Sequence, residues 1–222
     1  PTGTGNDFCR MFGEEGALYR DLEALLDGFE TPIDLINCNG RWCANICSVG
    51  IDARIGADVH KYSKLPIIGG AAGYVVSTVV NLFKGINRNL KVSSCGYTAE
   101  GPHALICACN GRFYGGGFNP MPEADPADGQ LEVLLVKKVS LLEVAALIGK
   151  YKKGRYRELP DQILFRKTDS LRILCDEPAV INLDGERRCA REIQMSLAKE
   201  KIRFFYPKGL TWNAECRMQN AK

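Results

Sequence analysis

Apolar and polar positions follow two different periods along this chain, and the change falls near residue 91. Before it, Leu18, Leu22, Leu25 and Leu26 fall on one face of a helix predicted over about 17–26 and closed by Gly28. A shorter helix is predicted over about 7–12, and two more over about 54–62 and 71–83. Segments 33–36 and 42–49 read as strands. Asn39-Gly40 lies between them, a pair that accepts the positive φ angles of a tight hairpin turn. Beyond Lys91 the pattern is strand-like, with candidates at 91–97, 103–110, 130–137, 162–168, 171–175, 179–183, 189–196 and 201–206. One helix interrupts them, over about 141–151. Ser140 stands at its N-cap and Glu143 three residues on, the spacing of a capping box. Many strands with few helices predict a β-sandwich or barrel-like domain.

The 222 residues leave room for one large domain, or one domain and part of another. With 45% apolar and 25% charged residues, the composition excludes a disordered tail, a collagen-like fibre and a coiled coil. A net charge of +3 gives no global electrostatic case for nucleic-acid binding. Ten cysteines contain no C-x-x-C pair and only two histidines accompany them, so zinc spacing is absent. Cys43, Cys47, Cys107 and Cys109 sit inside apolar runs and read as buried free thiols, which fits a reducing cytosol. The uncharged stretch 65–83 is near the length of a membrane span, yet it carries Pro66, Gly69, Gly70, Gly73, Ser77, Thr78 and Asn81. It reads as a buried helix with a small-residue face, serving either core packing or the wall of an apolar cleft.

Gly3-Thr4-Gly5-Asn6-Asp7 lies just before the first predicted helix. Glycines let a backbone approach an anion closely, and amides at a helix start face it. The same residues also make an ordinary turn capped by Asn6 or Asp7. A phosphate cradle normally follows a strand of an open α/β sheet. No strand precedes this one, so the chain is expected to lack an N-terminal half and, with apolar surface uncovered, to self-associate.

The order of motifs carries more. Pro1-Thr2-Gly3-Thr4-Gly5-Asn6-Asp7-Phe8-Cys9-Arg10 resembles the P-x-G-T-x-N-D-F-A-R segment of bacterial diacylglycerol kinase-family lipid kinases. Asn45 to Ala53 resembles that family's N-x-x-S-x-G-x-D-A. Asn110-Gly111, Gly115-Gly116-Gly117-Phe118 and Pro122-Glu123-Ala124 resemble its glycine-rich block. Asp128-Gly129-Gln130-Leu131 and Asn182-Leu183-Asp184-Gly185-Glu186 complete five segments in family order, reaching almost to Pro207.

The resemblance implies an α+β chain with a two-layer β-sandwich-like C-terminal domain, a few helices and a remnant of an α/β nucleotide-binding domain. Expected boundaries are 1–36 for the remnant, 37–205 for the β-rich domain, and a tail, 206–222, that returns to the nucleotide-binding domain. The family's G-G-D-G-T loop is not in this sequence. The implied activity is transfer of the γ-phosphoryl group of ATP to a lipid hydroxyl, most simply that of diacylglycerol, with Mg²⁺ neutralising phosphate charge. The fragment alone is expected to be inactive. By resemblance Glu186 is the general base and Asp184 assists it, through metal or by orienting it. Gly3, Thr4, Gly5, Asn6 and Asp7 approach ATP. The Asp128 side chain and the carbonyls of Asp125 and Gln130 hold Mg²⁺, and Asp34 belongs to the same acidic network. The family often has a lysine just before the Ala-Tyr of the segment matching 69–74. Here the sequence is Gly-Gly-Ala-Ala-Gly-Tyr, so either Lys64 or another cation replaces it, or the network is weaker.

Lys150-Tyr151-Lys152-Lys153-Gly154-Arg155-Tyr156-Arg157 is the one basic run. It reads as a solvated helix end, with an anionic membrane surface as the functional alternative. A cytoplasmic protein that visits the membrane transiently follows, without a nucleic-acid partner. Two rival readings stand beside it: a soluble NAD kinase-like nucleotide kinase, and a non-catalytic lipid-binding module.

Overall fold

A computed structural model describes residues 5–51, 53 and 85–210. The predicted helices at 54–62 and 71–83, the 65–83 segment, and residues Gly3, Thr4 and Lys64 lie outside the described residues.

The strands are β1 Phe29–Ile33, β2 Ile36–Cys38, β3 Arg41–Cys43, β4 Ile46–Gly50, β5 Arg88–Ser94, β6 Tyr97–Cys109, β7 Leu131–Lys137, β8 Ile163–Thr168, β9 Ser170–Leu183, β10 Glu186–Leu197 and β11 Ile202–Tyr206. Helices are α1 Asp7–Arg10, α2 Leu22–Leu26 and α3 Leu141–Lys152, with 3₁₀ turns at Gly13–Arg20 and Tyr156–Glu158. Nine strands form one antiparallel sheet in the order β3-β2-β10-β9-β4-β6-β7-β8, with β5 pairing both β6 and β9. Strands β4 and β5 fill successive stretches of one gap. The first pairs β6 at 105–109 and β9 at 181–183; the second pairs β6 at 97–103 and β9 at 171–175. The sheet wraps a core in which Ile36, Val49, Val92, Ile106, Val133, Ile173, Ile181 and Ile193 meet. The β-rich, sandwich-like fold with few helices is as expected.

Strand β6 shows why the pattern from 104 to 109 is continuously apolar. Ile106 and Ala108 face that core, while Leu105, Cys107 and Cys109 face a second cluster built by Met121, Ala124, Tyr151, Tyr156 and Leu159. A strand covered on both faces has no polar alternation to show. A separate two-stranded sheet, β1 against β11, packs with Phe8, Met11, Phe12, Tyr19, Phe204 and Tyr206 into an aromatic cluster. Phe113 reaches into that cluster from the loop after β6.

Several boundaries differ from the predicted ones. The helix predicted over 17–26 is broken at Asp21, whose Oδ1 accepts the Glu23 and Ala24 amides at 2.9 and 3.2 Å and starts α2 anew. Leu22 and Leu26 are therefore exposed, not buried on a common face. The predicted strand 33–36 is split by Asp34 and Leu35, which cross from one sheet to the other. The predicted strand 42–49 is broken at Ala44–Asn45, where the backbone amides turn to a carboxylate. Segments 171–175 and 179–183 are one strand. Pro178, with no amide to give, sits where the β9–β10 register jumps from Ala190↔Ala179 to Glu192↔Leu174. The Asn39-Gly40 turn and the Ser140/Glu143 capping box are as predicted, with φ of 50° and 79° at the turn.

Candidate functional site

The β9–β10 corner is a two-residue turn. Asp184 and Gly185 have φ of 50° and 98°, and Leu183 pairs with Glu186. The left-handed conformation of Asp184 is one that Asp tolerates and glycine favours. From this corner the Asp184 carboxylate accepts three consecutive amides: Ala44 on Oδ2 at 2.6 Å, and Asn45 and Ile46 on Oδ1 at 3.1 and 2.9 Å. The Cys43 thiol donates to Oδ1 at 3.1 Å, and burial with this neighbouring charge pushes that thiol well above its usual range. So the Asp184 side chain is engaged in fastening the break between β3 and β4 to the corner. Glu186, two residues on, points outward with its side chain 76% exposed and Arg188 Nη1 at 3.6 Å.

Asn45 relays the corner to the rest of the site. Its Nδ2 donates to the Phe113 carbonyl at 2.8 Å, and its own carbonyl accepts the Asn110 and Gly111 amides, both at 2.9 Å. A β-carbon on Gly111 would overlap Asn45 Oδ1, so this crossing requires glycine. Five residues further on, the Gly116 amide donates to Asp7 Oδ2 at 2.8 Å. Asp7 Oδ1 also meets Arg10 Nε at 3.2 Å, and that Nε donates to the Gly5 carbonyl at 3.0 Å. Asn6 holds a left-handed φ of 48°. Hydrogen bonds thus lead from the Asp184 turn, through Asn45 and the 110–117 loop, to Asp7.

A second set of acids lies at the crossover between the sheets. Asp34 is buried. Lys201 Nζ stands 2.6 Å from its Oδ1, the Gly129 amide donates to Oδ2 at 2.8 Å, and Asn110 Nδ2 donates to its carbonyl at 2.8 Å. Among the described residues the cation beside Asp34 is Lys201, which follows β10. The Asp125–Gln130 turn is closed internally: Asp125 Oδ1 accepts the Ala127 amide at 2.9 Å and Asp128 Oδ1 the Gln130 amide at 3.0 Å. Burial raises the Asp128 carboxyl, against the Gln130 amide and the Lys167 charge, which lower it.

Glu132 and Lys167, which the sequence reading passed over, complete this set. They face each other across β7 and β8. Glu132 has 0% exposure, and burial pushes its carboxyl up to about 7. Lys167 Nζ lies 3.0 Å from Glu132 Oε1 and 3.7 Å from Asp128 Oδ2. Burial works against the charge on Lys167, but the two carboxylates outweigh it and raise its pKa. One signal was available: Glu132 is the only charge in the run 131–136.

Asp34, Asp125, Asp128 and Glu132 place four carboxylates against the two ammonium groups of Lys167 and Lys201. Oxygen donors with surplus negative charge suit a hard divalent cation. No group of three or more His, Cys, Asp or Glu side chains poised to share a metal ion occurs among the described residues, so such an ion would rely on backbone carbonyls for its remaining protein ligands.

The basic run is divided. Lys150 and Arg155 pair with Glu158, Arg157 pairs with Glu123, and Lys152 lies over Phe118. Tyr151 and Tyr156 are buried in the second core cluster instead of forming an interfacial belt. Among the described residues no helix is long and apolar enough to cross a membrane.

Comparison with known proteins agrees with this architecture. Residues 45–205 match the model of the YegS C-terminal NAD kinase beta sandwich-like domain, and the chain belongs to that family. A protein of Xanthomonas oryzae pv. oryzae named "Probable lipid kinase YegS-like" is 27% identical over 212 residues, covering 93% of this chain and 68% of its own length. A protein of the same name from Stenotrophomonas maltophilia is 29% identical over 216 residues, covering 94% and 68%. The crystal structure of a diacylglycerol kinase from Bacillus anthracis superposes with a TM-score of 0.60 at 19% identity, covering 95% of this chain and 66% of that one. A second structure from that organism gives 0.66 at 23% identity, covering 95% and 68%. At these identities the superpositions show a shared fold. The chain spans about two thirds of the length of these relatives. The resemblance to the bacterial diacylglycerol kinase family, read first from motif order, holds.

Proposed function

We propose that this chain forms the acceptor-side part of an ATP-dependent lipid kinase, with a diacylglycerol hydroxyl as acceptor and Glu186 as general base. The observation that carries the proposal is the corner at 183–186. Its Asp184 carboxylate is spent on the amides of Ala44, Asn45 and Ile46, so the turn is fixed while Glu186 remains open to solvent and to a substrate. In transfer to an alcohol, the acceptor oxygen forms the new bond to phosphorus, the bond to the leaving diphosphate breaks, and the hydroxyl proton needs an acceptor. A carboxylate within hydrogen-bond reach supplies one, and among the described residues Glu186 has no buried partner competing for it. Asp184 acts on this step as a positioning residue.

Asp7 and Gly116 sit at the other end of the same hydrogen-bonded path, and we assign the adjoining 5–7 backbone to the nucleotide side. Asp128, with the carbonyls of Asp125 and Gln130, would hold Mg²⁺, whose role is to offset phosphate charge and to tie the crossover to the turn. Asp34 supports that turn through the Gly129 amide and is neutralised by Lys201. The family model's likeness to NAD kinases supports a second acceptor class, a soluble nucleotide.

The test uses full-length protein and radiolabelled Mg-ATP. Label is offered to diacylglycerol in mixed micelles containing anionic lipid, and in parallel to NAD. Glu186→Gln is expected to lower transfer to diacylglycerol on the order of a hundredfold or more, with lipid binding retained. Undiminished transfer by the variant would remove Glu186 as base. Label appearing in NAD instead would assign the soluble acceptor.

A further inference from the structure

We infer that Lys167 is an internal cation that competes with a divalent ion for the Asp128 carboxylate, and that Glu132 holds the lysine alone when the ion binds. The inference rests on the reading of the Asp125–Gln130 turn as a cation site.

Lys167 spans two acids unequally. It is a close ion-pair partner of Glu132 Oε1 at 3.0 Å and only a long electrostatic contact of Asp128 Oδ2 at 3.7 Å. Charge-assisted hydrogen bonds normally close to about 2.7–2.9 Å. The Asp128 contact is therefore one that a small movement of the ammonium can make or give up. The means to move is present. Lys167 lies on β8, an edge strand, and its side chain is half exposed, whereas Glu132 is locked in the sheet with no exposure.

Glu132 itself calls for a reason. Its Oε2 is buried without a hydrogen-bond partner. A buried carboxylate served by a single lysine is poor structural material, because an apolar residue at such a position is often neutral or stabilising. Its neighbours Leu131, Val133, Leu134 and Leu135 show that this strand accepts apolar side chains. A spare carboxylate oxygen beside a shared lysine is what a hand-over requires. While the turn is empty of metal, the lysine offsets Asp128. When a dication takes Asp128, repulsion drives the ammonium off its long contact with Asp128 and leaves it wholly on Glu132, its close partner already. A purely static ion pair would give the chain no such dependence.

The experiment measures Mn²⁺ binding to the purified 222-residue chain, after chelation and desalting, by the loss of the free-ion spin-resonance signal. Wild type, Lys167→Met, Glu132→Gln and Asp128→Asn are compared, each checked for native circular dichroism. Removing the competing charge is expected to tighten Mn²⁺ binding by roughly tenfold in Lys167→Met. Glu132→Gln, which leaves the lysine on Asp128, is expected to weaken it severalfold, and Asp128→Asn to abolish it. Lys167→Gln replaces Lys167→Met should the latter not fold. Equal or weaker binding by the lysine variants, with Asp128→Asn still abolishing it, overturns the competition and leaves the cation site standing. No Mn²⁺ binding by any of the proteins, or binding that survives Asp128→Asn, overturns both.

Discussion

Asp184 and Glu132 are both acids of the β domain, and their supply of hydrogen-bond donors runs opposite to their exposure. Asp184 stands at an exposed corner, yet it collects three consecutive amides and a thiol. Glu132 lies fully inside the sheet with one shared lysine. Burial normally demands full satisfaction of a charge, and exposure excuses its lack. The inversion separates two uses of a carboxylate. The corner acid is a fastener: its donors are backbone groups that cannot move away without breaking β3 from β4. The buried acid depends on one mobile side chain, so its surroundings respond when charge arrives nearby.

The largest effect should come from cutting the fastener. Asp184→Ala leaves the amides of Ala44, Asn45 and Ile46 without their acceptor and puts a β-branch-free but still strained residue at a φ of 50°. A loss of about 2–4 kcal/mol is expected in urea unfolding. Asp184→Asn keeps one acceptor oxygen and tolerates the left-handed conformation, so it should lose about half as much. Equal stability of Asp184→Ala and wild type would mean that water replaces the carboxylate, and the distinction between the two acids would fail.

These two acids also mark what could be read in advance. The capping box of α3 and the Asn39-Gly40 turn involve neighbours in sequence, so local rules suffice for both. The glycine block and the D-G-E corner were visible as motifs, and the sheet brings the corner and Asp7 onto one hydrogen-bonded path. What Asp184 binds was not visible, because its partners lie some 140 residues away. A still longer separation hid Lys201 as the partner of Asp34, and no local feature of the chain singles it out from its other lysines. The leucine pattern at 18–26 failed for a local reason: Asp21 caps a new turn more favourably than it continues the old one. The strands predicted at 171–175 and 179–183 are one long strand, because a register jump beside Pro178 absorbs the interruption.

The next effect should appear in the pH dependence of stability. The Glu132 carboxyl is raised by burial from 4.5 to about 7. Between those values the folded chain holds a proton that the unfolded chain has released. Stability should therefore fall as pH rises through that window and level off above about 7. At about 1.4 kcal/mol per pH unit across that window, the change is on the order of 3 kcal/mol. Glu132→Gln should flatten that slope in denaturation curves collected with chelator from pH 4.5 to 8. An unchanged slope would assign it to other groups and remove Glu132 as the strained acid.

The smallest expected effect is at Glu186, and it sharpens the comparison most. Its side chain is mostly exposed, and its charged partner among the described residues, Arg188, is 3.6 Å away and itself half exposed. Surface pairs of this kind contribute at most a fraction of a kcal/mol. Glu186→Gln should shift the urea midpoint by an amount equivalent to less than about 0.5 kcal/mol, even though it is the substitution expected to remove phosphoryl transfer. Asp184→Asn should do the reverse in proportion, with a measurable loss of stability and a loss of transfer that follows from displacement of the corner. If Glu186→Gln proves as destabilising as Asp184→Asn, the two carboxylates of one turn share a structural duty, and the free acid that the proposed chemistry needs is not there.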